Sequence, residues 1–235
     1  MSYSLSRRLV AEALGTAFLL ACVVGSGIMA ERLSGGNTAL ALLANAIATG
    51  GGLIALILAF GGISGAHFNP AVSLSLWWRR ELEGRELLLY VGAQVIGAFA
   101  GVIAAHAMFG EPAVFASQHA RTGISQWWSE FVATFGLLAV IFGTAQQRPA
   151  AVPYAVAGYI VAAYWFTAST SFANPAVTLA RAASDTFAGI RPIDAPLFII
   201  AQLAGAMAAT MVFGWLVKPE AAAAQPQAEA QRRSA

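Results

Sequence analysis

Residues 64–77 read SGAHFNPAVSLSLW, and residues 171–190 read SFANPAVTLARAASDTFAGI. The two stretches share the residues Asn-Pro-Ala-Val, which begin at Asn69 and at Asn174. Asparagine is a favoured N-cap and proline a favoured first helical residue, so each motif predicts a helix that begins directly after its asparagine. The apolar segments there are too short to cross a bilayer, which needs about 20 residues. The sequence therefore predicts two half-helices, at about 69–78 and about 174–183.

The composition indicates a membrane protein. Of the 235 residues, 58% are hydrophobic and 10% are charged, whereas soluble domains average about 25% charged residues. The formal net charge of +2 is too small to indicate nucleic-acid binding. The single cysteine, Cys22, lies in an apolar stretch and is interpreted as a small buried hydrophobic residue.

Six apolar runs are long enough to cross the bilayer core of roughly 30 Å. They lie at about 9–29, 38–60, 86–108, 127–146, 151–168 and 195–217. The first is longer than the apolar region of a signal peptide, so we interpret it as a retained helix. Non-helical backbone at membrane depth survives only where it is buried in protein or lines a wet cavity. The two half-helices therefore predict a pore or a transport site.

The distribution of basic residues predicts the orientation. With six spans, both termini lie on one side, and nine of the 13 Lys and Arg residues share that side. They are Arg7, Arg8, Arg79, Arg80, Arg85, Arg148, Lys218, Arg232 and Arg233. The positive-inside rule places this side in the cytoplasm. The polar segment 218–235 is predicted to be a disordered cytoplasmic tail.

The channel domain, residues 1–217, divides into two similar halves at about 1–108 and 127–217. Glu12 in AEALGT matches Glu130 in SEFVAT, and Gln94 in AQVIGAFAG matches Gln202 in AQLAGAMAA. Each half holds three spans, an odd number, so the second half enters the membrane from the opposite side. This is an inverted repeat, whose functional site is expected near the midplane between the halves.

Ionisable residues inside a membrane segment are costly and indicate a functional site. We predict that Glu12 and Glu130 support the loops by accepting backbone N–H bonds at the irregular entry to each half-helix. The alternative for Glu12 is an interfacial position near Arg7 and Arg8. His67, which precedes the first motif, is predicted to support the loop by packing.

The paired motifs on half-helices, the stretch SGAHFNPAV, the AExxGT opening and the inverted repeat resemble the aquaporin (major intrinsic protein) family over about residues 5–217. The resemblance implies an all-α membrane protein with six tilted helices and two re-entrant half-helices that meet at the midplane. It also implies a homotetramer with one pore per subunit, in which the motif asparagines donate amide N–H groups to permeating solutes. The implied pore motifs are Asn69, Pro70, Ala71, Asn174, Pro175 and Ala176.

Four positions form the outer constriction, or selectivity filter, in that family. Carried onto this chain they are Thr49, Ala162, Ser171 and Val177, and a one-residue gap would replace Ala162 by Val161 or Ala163. The family's water channels and glycerol channels have an arginine where this chain has Val177, so the implied opening is wider and less positive.

Arg181 follows Val177 by one helical turn and could line the vestibule. The favoured alternative is an ion pair with Asp185, four residues further on. The pattern of small residues and valine also resembles aquaglyceroporin-like channels found beside arsenic-resistance genes in soil bacteria.

These residues favour a passive channel in a bacterial cytoplasmic membrane for small neutral solutes such as glycerol, other polyols, urea or arsenous acid. The alternatives are a water-selective channel and a non-conducting membrane scaffold of the same fold. No nucleophile, ligand cluster or nucleotide motif supports an enzyme, and no metal or cofactor site is predicted. The expected partners are small solutes, water, lipid and further copies of the chain, but not nucleic acid.

Overall fold

A computed structural model describes residues 3–217, and the regular structure in this range is helical. The helices are α1 (Leu5–Leu33), α2 (Thr38–Ser64), α3 (Pro70–Trp78), α4 (Gly84–Phe109), α5 (Ile124–Gln147), α6 (Val152–Phe166), α7 (Pro175–Arg181) and α8 (Ala195–Leu216). A short 3₁₀ turn, Pro149–Ala151, precedes α6. The predicted fold class is confirmed, whereas the predicted tail, residues 218–235, lies outside the described residues.

Six of these helices are long and apolar enough to cross a membrane: α1, α2, α4, α5, α6 with its preceding turn, and α8. Their outward faces carry exposed apolar side chains, such as Val10, Leu14 and Phe18 on α1. Large exposed apolar faces are unfavourable in water and are the normal surface of a helix that contacts lipid. The chain is a multi-pass membrane protein. We call the side where α1 begins and α8 ends the terminal side, and the opposite side the far side.

The half-helices α3 and α7 begin at Pro70 and Pro175, each directly after the asparagine that caps it. The second is shorter than predicted, because it ends at Arg181 rather than near residue 183. The backbone N–H groups of Ala182, Ala183 and Ser184 donate to carbonyls three residues earlier. Bonds of this kind tighten the last turn and end the helix there.

Small residues bring the long helices together in pairs, α1 with α4 and α5 with α8. A side chain at Gly97 would overlap the carbonyl oxygen of Ala13, and one at Gly101 would overlap that of Ala17. In the second half, a side chain at Gly205 would overlap the carbonyl of Phe131. These approaches show the close backbone packing that small residues allow in membranes, and they repeat at matching places in the two halves.

We predict that Gly97→Ala lowers the unfolding temperature of the detergent-purified protein, because the added methyl group forces α4 away from Ala13. Overpacking of this kind costs about 1–3 kcal/mol. The matched control is Gly92→Ala on the same helix, where an added Cβ meets no atom within 4 Å. Equal unfolding temperatures for the two variants would contradict the proposed close contact.

Candidate functional site

A cavity of about 260 Å³ lies at the centre of the bundle. Its walls come from α1, α2, α5 and α6, from both half-helices, and from the loops that precede them. Much of the wall is aliphatic, as with Leu53, Ile57, Leu137, Ile141, Val156 and Ile160. Polar groups enter this wall mainly from the two loops, so the chemistry of the cavity depends on how those loops are held.

The two motif asparagines lie side by side at the centre and line the cavity. The side-chain oxygen of Asn69 accepts the N–H of Ala71 at 2.9 Å, and that of Asn174 accepts the N–H of Ala176 at 3.0 Å. The amide nitrogen of each asparagine donates to the opposite loop, Asn69 to the carbonyl of Ala173 and Asn174 to that of Phe68, both at 2.8 Å. Hydrogen bonds therefore connect the N-terminal end of each half-helix to the loop that precedes the other.

Glu12 of α1 is fully buried and holds the first loop. Its carboxylate accepts the backbone N–H of His67 at 3.0 Å and that of Phe68 at 2.7 Å. It also accepts hydrogen bonds from the Ser64 hydroxyl at 2.6 Å and the Gln94 amide at 2.8 Å. Four donors thus compensate a charge whose burial alone would be strongly unfavourable. This position is buried within the bundle, so the interfacial alternative for Glu12 does not hold.

Glu130 of α5 does the same for the second loop. Its two oxygens accept the backbone N–H groups of Phe172 and Ala173, both at 2.9 Å. Gln202 donates to the same carboxylate at 2.6 Å and to the hydroxyl of Thr178 on α7 at 2.8 Å. Gln94 matches this arrangement in the first half by bridging Glu12 and Ser73 of α3. The two halves therefore match in these hydrogen bonds as well as in sequence.

Both loops adopt an unusual backbone next to the asparagines. Ala66, Phe68, Ser171 and Ala173 all have φ between 48° and 53°, a left-handed conformation that is uncommon without glycine. Residues held in such conformations cost roughly 1–3 kcal/mol each and persist only when their surroundings fix them. The bonds to the two glutamates provide that restraint. His67 lies between two of these residues, lines the cavity, and contacts the Ser73 hydroxyl through Nδ1 at 3.0 Å.

Three of the four predicted filter positions line the far-side half of the cavity: Thr49, Ser171 and Val177. All three are buried, at 3–5% exposure. The hydroxyl of Thr49 lies 3.2 Å from that of Tyr164 on α6. The hydroxyl of Ser171 is buried and has no hydrogen-bond partner within residues 3–217.

The fourth predicted position, Ala162, is wrong. Ala162 is exposed on the outer surface of α6 and does not line the cavity. The wall is formed instead by Val152, Val156, Ile160 and Tyr164, which recur every four residues and so share one helix face. Ala162 lies two residues from Ile160, about 200° around the helix. The alternatives Val161 and Ala163 do not line the cavity either, and the four-residue recurrence in the sequence would have identified Tyr164.

The expected ion pair between Arg181 and Asp185 is also wrong. Arg181 is 3% exposed and lines the cavity. Its Nε donates to the carbonyl oxygen of Ala188, and its Cζ lies 3.4 Å from the centre of the Phe172 ring. The Asp185 carboxylate accepts the backbone N–H of Gln118 instead. Because α7 ends at Arg181, Asp185 is not on the same helix, and the i, i+4 relation does not apply.

The part of the chain that the structure describes contains no group of three His, Cys, Asp or Glu side chains placed to hold a metal ion. The residues that surround the cavity instead present amide, hydroxyl and guanidinium groups. Such groups can form hydrogen bonds with neutral polar molecules.

The sequence matches the family described as major intrinsic protein, over residues 1–153 and again over 149–234. The two matches meet near residue 150, between α5 and α6. Together they cover nearly the whole chain.

Among similar proteins, the aquaglyceroporin AqpS of Rhizobium meliloti is 55% identical over 217 residues, which cover 92% of this chain and 93% of that protein. The aquaporin AqpM of Methanothermobacter marburgensis is 32% identical over 241 residues, covering 91% and 98% of the two chains. The X-ray structure of the aquaglyceroporin from Plasmodium falciparum superimposes with a TM-score of 0.76 at 19% identity, covering 92% and 98%. That likeness shows the fold.

We predict that Glu130→Gln destabilises the protein. One carboxylate oxygen becomes an amide donor that faces a backbone N–H, and leaving a buried donor without its acceptor costs about 1–3 kcal/mol. The unfolding temperature in detergent should fall well below that of Glu31→Gln, a control at an exposed glutamate. If both variants unfold at the wild-type temperature, the Glu130 carboxylate does not stabilise the second loop.

Proposed function

The chain belongs to the major intrinsic protein family, and from this premise we propose that it is a passive channel for small neutral hydroxylated solutes. The proposed solutes are glycerol and other polyols, urea and arsenous acid, and water can accompany them. The observation that carries the proposal is the central cavity, where two asparagines, each hydrogen-bonded to the opposite loop, face aliphatic walls. A channel of this family needs no catalytic group or cofactor.

The chemistry of the cavity suits molecules that are polar but uncharged. Each asparagine amide has two hydrogens and gives one to the opposite loop, which leaves the second for a solute oxygen. The aliphatic walls offer no compensation for the hydration shell of an ion, so an ion loses more than it gains on entry. A neutral solute can instead place its hydroxyl groups against the asparagines and its carbon atoms against the walls.

The residues at the predicted selectivity filter favour solutes larger than water. Val177, Thr49 and Ser171 are small, and the two hydroxyl groups can both donate and accept hydrogen bonds. Arsenous acid is neutral at pH 7 and carries three hydroxyl groups, as glycerol does, so the same groups can bind it. The 55% identical relative is an aquaglyceroporin, which supports a solute channel over a water-selective one.

We further propose that the protein lies in the cytoplasmic membrane of a bacterium, with both termini in the cytoplasm, as a homotetramer with one pore per subunit. The terminal side holds Arg7, Arg8, Arg79, Arg80 and Arg148, which supports the orientation by the positive-inside rule. The bacterial relative supports the membrane. The tetramer rests on the family resemblance.

We predict that proteoliposomes containing this protein take up glycerol and arsenous acid several-fold faster than protein-free vesicles. Glycerol flux is measured by stopped-flow light scattering, and arsenous acid by the metalloid content of filtered vesicles. An inactive control is a preparation unfolded by heat before reconstitution. Water flux without any solute flux would contradict the proposed solute channel.

We predict that Val177→Arg reduces glycerol flux more than water flux, because the long side chain narrows the constriction and water is the smaller molecule. The two fluxes are measured in the same vesicle preparation. Leu179→Arg is the matched control, since Leu179 is on the same helix, is 39% exposed and does not line the cavity. An equal reduction of both fluxes would show that Val177 does not set the size limit.

A further inference from the structure

Arg181 lines the cavity, a position that the sequence allows but does not favour over an ion pair with Asp185. It is the last residue of α7, one turn beyond Val177, and its side chain lines the same far-side part of the cavity as Thr49, Tyr164 and Ser171. Within residues 3–217 it forms no ion pair with a carboxylate, and its two terminal nitrogens have no hydrogen-bond partner. A buried guanidinium with free donors at a channel wall requires an explanation, because such groups are normally paired.

Two contacts fix the guanidinium while leaving those terminal nitrogens free. Nε donates to the carbonyl of Ala188, and the Cζ atom lies 3.4 Å from the centre of the Phe172 ring. Stacking of arginine on an aromatic face is favourable and holds the planar group in one orientation. Phe172 is itself held, because its backbone N–H donates to Glu130. The position of the charge is therefore coupled to the carboxylate that supports the second loop.

Arg121 provides a contrast on the same ring. Its Cζ lies 5.0 Å from the centre of the Phe172 ring, but its side chain donates to the carbonyls of Gly189 and Ser169 at 2.8 and 3.2 Å and to the Thr170 hydroxyl at 3.4 Å. Arg121 does not line the cavity. Both arginines lie over the Phe172 ring, but Arg121 connects the loops whereas Arg181 faces the cavity.

The groups next to Arg181 complete a polar collar, which we define as Thr49, Tyr164, Ser171 and Arg181. The Ser171 hydroxyl is 97% buried, lines the cavity, and has no partner among the described residues. Tyr164 and Thr49 share one hydrogen bond, and each hydroxyl keeps further capacity. The collar thus combines a fixed positive charge with hydroxyl groups that can bind a neutral solute.

The positive field of the two arginines extends into the far-side loop. Burial lowers the pKa of His119 below its usual value, and the charges of Arg121 and Arg181 lower it further. The carboxylate of Asp185 acts in the opposite direction, so burial and the two cations together outweigh it.

We propose that Arg181 is the specificity-determining cation of this channel: its charge excludes cations from the pore, and the polar collar admits neutral hydroxylated solutes. The inference rests on the proposed channel function and extends it. The charge that the family's water and glycerol channels place at the position of Val177 is supplied here from one turn further along α7. Val177 then leaves room at the constriction while the exclusion of cations is kept.

The test compares methylammonium entry with glycerol entry in the same proteoliposomes. Wild-type protein should exclude methylammonium. Two neutral variants are used, Arg181→Gln and Arg181→Met, because methionine keeps a long side chain over the Phe172 ring if glutamine impairs folding. Removal of one unit charge at the wall should raise the ratio of methylammonium to glycerol flux by about tenfold.

Three further variants separate charge from structure. Arg32→Gln is the matched control, because Arg32 also lies over an aromatic ring, Phe109, on the far side of the membrane but outside the cavity. Its flux ratio should equal that of the wild type. Arg181→Lys keeps the charge and should keep methylammonium excluded. The double variant Val177→Arg with Arg181→Gln returns a charge to the constriction and should restore exclusion.

The outcomes distinguish this inference from the proposed function. If glycerol enters and both neutral variants still exclude methylammonium, the role of Arg181 is overturned and the solute channel stands. If no variant carries glycerol, the proposed function is wrong, and a methylammonium leak confined to the neutral variants would still support the role of Arg181. A leak of equal size in Arg32→Gln would also overturn the inference.

Discussion

Backbone N–H groups that leave helical geometry inside a bilayer must find an acceptor, and in this protein two carboxylates supply it. Glu12 holds the N–H groups of His67 and Phe68, and Glu130 holds those of Phe172 and Ala173. Without an acceptor each such group would cost several kcal/mol in hydrocarbon. The left-handed residues, the orientation of the asparagines and the positions of Ser171 and Phe172 depend on these four bonds.

The asparagines convert this local restraint into a connection between the two halves of the chain. Each amide donates to the loop of the opposite half, so neither half-helix can move along the pore axis without breaking a bond at its partner. The N-termini of the two helices would otherwise repel each other through their positive dipole ends. The carbonyl acceptors on the facing loops offset that repulsion, and the close packing at Gly97 and Gly205 holds the surrounding helices in register.

The sequence predicts this structure where a position is tied directly to a motif. Ser171 and Val177 lie on the cavity because they belong to the segment around Asn174, and Thr49 lies on it from α2, where its hydroxyl contacts Tyr164 of α6. The prediction fails where an unobserved loop or helix end intervenes. The prediction of Ala162 depends on the path of the loop between α6 and Asn174, which the sequence does not give. The Arg181–Asp185 pair assumed a helix that continued, whereas α7 ends at Arg181. In both cases the prediction is wrong about the path of the backbone and not about the chemistry of the side chains.

In the proposed channel, size selection and charge selection are assigned to two different residues of α7. An arginine at position 177 would perform both functions, because its side chain fills the opening and carries the charge. Here Val177 lines the opening, and the guanidinium of Arg181 lies one turn away, restrained by Phe172 and Ala188. A charge acts over several ångströms in a low-dielectric wall, whereas steric exclusion acts only at contact. The opening can therefore be wide enough for a polyol while the positive field is kept, provided that the Phe172 ring stays in place against Arg181. Because the backbone N–H of Phe172 donates to Glu130, the selectivity of the proposed channel also depends on that carboxylate.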